Sequence, residues 1–421
     1  PTRMKKIKDG LINEIRERFA HVDTCPEQGK RIFFENAGGA LTLKSVVQRS
    51  AELAAIPDNQ GRDNPASREL VSIINQAKSD ILTFFGASNG STFVGESGTE
   101  LLFRLISTAI LGAPDGGIVV GSTLEHPASV SACDRWSKIA KREFVRVPHN
   151  DETGTVTAED YKAYVTKDTS VATILHTSPV TGMSVDVASI AKLIRSISPD
   201  CYIIVDGIQH AAHGGLDLDS YGIDGYVISP YKVFSRHGYG VAWVSDRMSI
   251  LPHDRLIGSP ENNWELGTRD TASYATFTEV VNYFDWLGGH FTDSTDRREK
   301  INAAGKAIHQ QEKELTDAML FGVDGQSGLA SMSEVGIIGG VDNPQREGLV
   351  AITIEGMTAE QIVSALSEKG IRTHARKADH YSGNILKPLG LESCVRVSMC
   401  HYNTEQEVTN FLRAVEGIIN K

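Results

Sequence analysis

Between about residue 45 and residue 290 the chain alternates short, β-branched-rich runs with helical stretches. The runs are Gly117 to Gly121, Ser170 to His176, Cys201 to Asp206 and Gly225 to Ser229. Helical patterns at Pro127 to Ala140 and Val187 to Ser196 separate several of them. Arg68 to Gly86 places Leu70, Ile73, Ile74, Ala77, Ile81 and Leu82 on one side. Short buried strands alternating with helices predict a mainly parallel sheet covered on both faces. Ligands of such sheets sit beyond the carboxyl ends of the strands, so the residues just after each run are the informative ones.

The pattern changes after about residue 295. A long charged helix, Arg297 to Leu320, precedes strand candidates at Val350 to Ile354, Ile371 to His374 and Val395 to Cys400. Helices at Thr358 to Lys369 and Glu405 to Ile419 flank them, which predicts a smaller α+β domain. The expected division is an N-terminal helical segment over 1–30, a large domain over 31–295 and a small domain over 296–421. Leu11, Ile12, Ile15 and Phe19 repeat at helical spacing, unlike the apolar core of a targeting peptide. Arg3, Lys5, Lys6 and Lys8 read as a solvated helix face.

Composition narrows the class. A chain of 421 residues that is 40% hydrophobic is too apolar for disorder. No apolar run approaches the roughly 18 residues that span a bilayer. Its net charge of −11 repels phosphate backbones and argues against a nucleic-acid binder. Five cysteines without a CxxC pair suggest neither a disulfide framework nor structural zinc. The expectation is a cytoplasmic protein with no membrane or nucleic-acid partner.

Two strand ends carry the chemistry. Ile203-Ile-Val-Asp-Gly-Ile-Gln-His210 ends in Asp206 and Gln209; Gly225-Tyr-Val-Ile-Ser-Pro-Tyr-Lys232 ends in Ser229 and Lys232. An acid and a lysine there meet in the ligand crevice, either as a structural ion pair or as a working pair. Ser97-Gly-Thr-Glu100 opens a helical segment with backbone N–H groups and two hydroxyls, a phosphate cradle. It is neither a P-loop nor a dinucleotide fingerprint. A phosphate site, a lysine able to form a Schiff base and a strand-end acid together suit pyridoxal 5′-phosphate, whose ring nitrogen the acid keeps protonated.

These segments resemble one family. Phe33-Phe-Glu-Asn-Ala-Gly-Gly39, Glu125-His-Pro-Ala128, Val205-Asp-Gly-Ile-Gln209, Ser229-Pro-Tyr-Lys232, Glu265-Leu-Gly-Thr268 and Val395-Arg-Val-Ser398 occur in the order seen in the class V aminotransferase and cysteine desulfurase superfamily. The resemblance runs from about Ile32 to the C-terminus. Phe33-Phe-Glu-Asn36, Ala378-Asp-His-Tyr381 and His401-Tyr-Asn-Thr404 look closest to its desulfurase-like branch. It implies an α/β, fold-type I architecture with a mainly parallel seven-stranded sheet and a small C-terminal α+β domain. It further implies a homodimer with composite sites. Lys232 would hold the cofactor, Asp206 would pair with the pyridinium nitrogen, Gln209 would bond the ring hydroxyl and His126 would stack on the ring. Ser97, Gly98, Thr99 and Ser229 would hold the phosphate, with Tyr231 able to reach it. Thr268 would reach the phosphate of the partner subunit. Arg396 would clamp the substrate carboxylate, with Asn36 nearby.

Blander readings stand beside these. His126 could simply begin a helix, Arg396 could be a salt-bridge partner, and His210 and His213 could be packed structural histidines rather than metal ligands. Three departures from the resemblance are Pro179, where relatives often carry Asn, Tyr231, where they often carry His, and Arg269.

The reaction is read from a missing thiol. A desulfurase carries a cysteine on a loop before the last strands, and Arg372-Thr-His-Ala-Arg-Lys-Ala-Asp-His-Tyr-Ser-Gly383 has none. Cys394, about 7 Å along the strand from Arg396, is the only substitute. The other cysteines read as small hydrophobes. His380 and Tyr381 offer acid–base groups instead, and the loop's cations could hold a second anionic group of the substrate. The leading expectation is a lyase that acts at the Cα of a small amino acid and eliminates a β-substituent such as sulfur. Transamination follows, then epimerisation, with true desulfuration and a non-catalytic cofactor-binding scaffold behind.

Overall fold

A computed structural model describes Ile7 and residues 9–421; Arg3, Lys5, Lys6 and Lys8 lie outside the described residues. The large sheet has seven strands: β1 (Ser91–Gly95), β2 (Ile118–Ser122), β3 (Glu143–Val147), β4 (Thr169–Leu175), β5 (Tyr202–Asp206), β6 (Gly225–Ile228) and β7 (Gly240–Val244). Their order across the sheet is β1-β7-β6-β5-β4-β2-β3. Only β7 runs against the rest, pairing antiparallel with both β1 and β6. The sheet is therefore mainly parallel, as the alternation predicts.

The helices cover it because their apolar stripes demand burial. Leu101, Leu102, Leu105 and Ile106 of α3 (Gly98–Gly112) pack with Val119, Val171, Ile204 and Val227 on one face. On the other face Ile190, Ala191 and Ile194 of α5 (Val187–Ile197) join Val120, Ala172, Ile203 and Val205. After α1 (Lys44–Ala54), α2 (Pro65–Phe85) begins with Asn64 as N-cap and ends on left-handed Gly86, a standard start and stop.

The smaller C-terminal domain has an antiparallel sheet of β8 (Val335–Ile337), β9 (Leu349–Ile354), β10 (His374–Lys377) and β11 (Ser393–Ser398), ordered β8-β9-β11-β10. Helices α8 (Ala359–Glu368) and α9 (Glu405–Ile419) bury Ile362, Leu366, Phe411 and Leu412 against Val395 and Val397. The helix α7 (Arg297–Phe321) contributes Leu315 and Met319 to the same core.

Two expectations need correction. Ile371 to His374 is not one strand: Ile371–Arg372 pairs parallel with Ile32–Phe33, while His374 begins β10. The backbone changes partner at Thr373, so the pairing divides where the apolar run looked continuous. The segment expected to open the large domain at residue 31 also runs first along the small domain. Phe34 sits in the small-domain core, and its carbonyl accepts from Ser398 N at 2.8 Å.

Candidate functional site

Lys232 ends a 3-10 turn, Pro230–Lys232, directly after β6, and Asp206 ends the neighbouring strand β5. The register Asp206↔Val227 sets these two strand ends side by side. Asp206 is 3% exposed; one oxygen accepts from Ile208 N at 3.0 Å. Burial pushes its carboxyl up to about 6, against the pull of that N–H and of Lys232. Lys232 Nζ donates to Gln209 Oε1 at 3.5 Å. Burial and the positive Arg396 bring the ammonium down to about 8, with Asp206 opposing. A lysine tuned this way is partly unprotonated near neutrality, as a nucleophile or proton carrier must be.

Gln209 is oriented from behind. Its Nε2 lies 3.4 Å from His213 Nε2, and His213 Nδ1 lies 2.6 Å from Glu312 Oε1 on α7. The amide can satisfy both neighbours only with its carbonyl toward Lys232. His210 reaches Glu347 in parallel, at 2.8 Å. The two histidines thus hold carboxylates, and among the described residues no cluster of three metal-ligating side chains forms. Nothing local in the sequence points to Glu312: it lies among Gln310, Gln311, Lys313 and Glu314, which read as a wet helix face.

The cradle lies at the start of α3. A Cβ on Gly98 would sit 2.3 Å from Ser229 Oγ and 2.8 Å from Ile208 Cδ1. A Cβ on Gly240 would meet the Ser97 carbonyl carbon at 2.5 Å. Only glycines let these segments close into a cup of N–H groups and hydroxyls. Ser97 Oγ caps the helix by accepting from Glu100 N at 3.1 Å, which leaves its hydrogen free to donate. Thr99 is exposed at the same end. This cup suits a phosphate, and the buried Asp206, whose carboxyl burial already pushes toward the protonated form, suits a protonated ring nitrogen.

His126 caps α4 (Pro127–Ile139): its Nδ1 accepts from Ala128 N at 3.0 Å. The bland helix-start reading and a face toward the site hold together. Burial, and then Lys232, lower its pKa to about 4, so the ring is neutral, with its proton on Nε2. Tyr381 meets it edge-on at 5.4 Å and is buried, its hydroxyl 3.4 Å from Leu124 O. His380 is exposed. Tyr231 stacks on His237 at 4.3 Å, and its ring edge faces Gly39.

On β11, Arg396 is 5% exposed; one Nη donates to Pro179 O at 3.1 Å, while its buried Nε has no partner. The contact at this position is thus made by the backbone carbonyl of Pro179 rather than by a side chain. Asn36 is placed differently from the expectation. Its Nδ2 donates to Phe33 O, Ser398 O and Asn403 Oδ1 at 3.2, 3.0 and 3.2 Å, and its oxygen accepts from Tyr402. Its N–H hydrogens and one lone pair of its oxygen go to joining the N-terminal segment to β11 and the turn after it, so these bonds are structural. Thr268 is exposed and makes no hydrogen bond within the described residues; neighbouring Arg269 pairs with Glu96.

Fold and site together define a pyridoxal-phosphate-dependent enzyme, and the chain belongs to the aminotransferase class-V family, which matches residues 32–411. Among its relatives are the aminotransferase-like protein FGM3 of Gibberella zeae, 24% identical over 97% of this chain and 98% of that one, and a probable cysteine desulfurase of Borreliella burgdorferi, 22% identical over 99% of both. The crystal structure of the cysteine desulfurase CsdA from Escherichia coli superposes with a TM-score of 0.78 at 20% identity, covering 97% of this chain and 98% of the other. An apo cysteine desulfurase from Thermococcus onnurineus gives 0.77 at 20% identity, covering 93% and 95%. These likenesses establish the fold.

Proposed function

We propose that the chain acts at the Cα of a small amino acid and eliminates a β-substituent without passing sulfur through a cysteine. Pyridoxal phosphate, when bound, supplies the sink for the electron pair left at Cα. Lys232 holds the cofactor covalently and, once displaced, moves the Cα proton; its lowered pKa supports both roles. Asp206 holds a proton against the ring nitrogen, Gln209 orients on the ring hydroxyl, and neutral His126 covers a ring face. Ser97, Gly98, Thr99 and Ser229 bind the phosphate, and Arg396 binds the α-carboxylate with the fork geometry that a carboxylate matches. His380 and Tyr381, on the loop after β10, are the groups proposed to protonate the leaving group, Tyr381 by releasing its bond to the Leu124 carbonyl.

The observation that carries this reading is the state of the cysteines. The loop from 372 to 383 holds none, and Cys394 is 1% exposed, its thiol pushed up to about 11 by burial. A persulfide carrier needs an accessible thiolate, whereas Cys394 is buried within β11 and burial favours its protonated thiol. The relative named aminotransferase-like supports a second reading, transamination. The test is an amino-acid panel on the purified yellow protein, assaying keto acid and released thiol or sulfide. Elimination yields keto acid with no amino acceptor added. A strict need for an acceptor keto acid selects transamination.

Thr268 supports a homodimer in which each chain completes its partner's phosphate site. The loop that carries it also exposes Leu256 and Ile257, at 59% and 106%, apolar surface that a second copy would cover.

A further inference from the structure

β10 and β11 present one face of the small sheet to the large domain. Their register pairs His374 with Arg396 and Arg376 with Cys394. Side chains alternate along a strand, so His374, Arg376, Cys394 and Arg396 share a face. Val395 and Val397 point the other way, into the small-domain core, and Cys394 packs into the large-domain core. Two guanidinium groups therefore sit diagonally on neighbouring strands, about 7–8 Å apart at Cα, facing the cleft that holds Lys232.

Neither makes an ion pair with an acid among the described residues; Glu35 and Asp379 reach Arg396 and Arg376 only as longer-range charges. Glu35 turns to Arg372 and His374. Asp379, the acid closest in sequence to Arg376, spends one oxygen on the N–H groups of Tyr381 and Ser382, at 2.9 and 2.8 Å. Arg376 gives only its Nε, to Ser382 Oγ at 2.9 Å, and lies 5.7 Å over the Tyr381 ring that abuts His126. Its positive charge is felt at Lys232, His126 and Arg396. An acidic protein has thus kept two half-free guanidinium groups in one cleft. The phosphate has its own cup, and an α-carboxylate occupies only one of the two.

We infer that Arg376 is a specificity determinant that binds a second acid group on the substrate side chain, so that the substrate class is an acidic α-amino acid. The inference rests on the pyridoxal-phosphate reading of the site, with Arg396 on the α-carboxylate.

The test titrates the holoenzyme with α-methylaspartate, α-methylglutamate and α-aminoisobutyrate, which lack the Cα hydrogen, and reads binding from the cofactor's visible absorption. At least one acidic probe binds the parent protein about tenfold or more tighter than α-aminoisobutyrate, as a charge-assisted pair predicts. This ratio needs no variant to fold. Arg376→Gln erases the ratio, Arg376→Lys restores part of it, and Arg396→Gln weakens all three probes together. Equal affinities in a protein whose cofactor borohydride fixes to Lys232, or a ratio that survives Arg376→Gln, overturn the inference alone. If borohydride fixes nothing to Lys232 and no probe changes the spectrum, the reading of the site falls and the inference falls with it.

Discussion

Glu125 shows how a motif residue can act through burial alone. It is 1% exposed, with one oxygen on Ser122 Oγ at 2.5 Å and the other unpaired. Burial pushes its carboxyl up to about 7 from 4.5. The folded chain therefore holds a proton that an unfolded glutamate has released. Stability from this group is present below about 4.5 and is lost as pH rises to about 7. Glu125→Gln removes the titration, so the variant loses less stability across that window, by up to about 3 kcal/mol. Urea midpoints on either side of the window measure it. At the reacting end, Lys232→Ala should keep some cofactor through the phosphate cup but lose turnover; normal turnover would remove Lys232 from the chemistry. Lys232, Asp206 and Arg396 are legible because each sits at or on an apolar strand. Glu312 is not: its partner His213 lies 99 positions away, and only tertiary packing joins them.

At the scale of elements, strands that end in polar residues were readable, since the switch from apolar run to Asp206 or Ser229 is local. β3 was not among the expected strands. Its Glu143-Phe-Val-Arg-Val147 mixes charges into an edge strand, where one side is wet. The helix α6 (Thr271–Gly288) escaped for the opposite reason. It is buried nearly all round, Ala272 to Phe277 without a break, so no polar stripe marks a period. The junction of β6 and α3 gives the sharpest element-scale prediction. Gly98→Ala places a methyl against Ser229 Oγ, and cofactor affinity, read by fluorescence titration, should fall at least about tenfold. Adding Ser229→Ala removes the oxygen in the clash and should recover part of the closure but not the lost hydroxyl. A single variant with unchanged affinity would show that the cup is not the phosphate site.

Across the whole molecule, the two domains meet where β11 delivers Arg396 to Pro179 and Asn36 ties the N-terminal segment to Ser398. The site proposed here needs both domains and, through Thr268, a second chain. Mixing Lys232→Ala chains with Thr268→Ala chains should yield mixed dimers with one intact site and partial activity, while each parent pool stays weak. A fully active monomer on dilution would refute the composite site. The central claim is that a desulfurase-like fold here works without a thiol. The turnover of Cys394→Ser on the best substrate of the panel tests it most directly. The account predicts that most activity remains. Abolished turnover, with a persulfide trapped on Cys394 of the parent protein, would contradict it and make the chain a desulfurase.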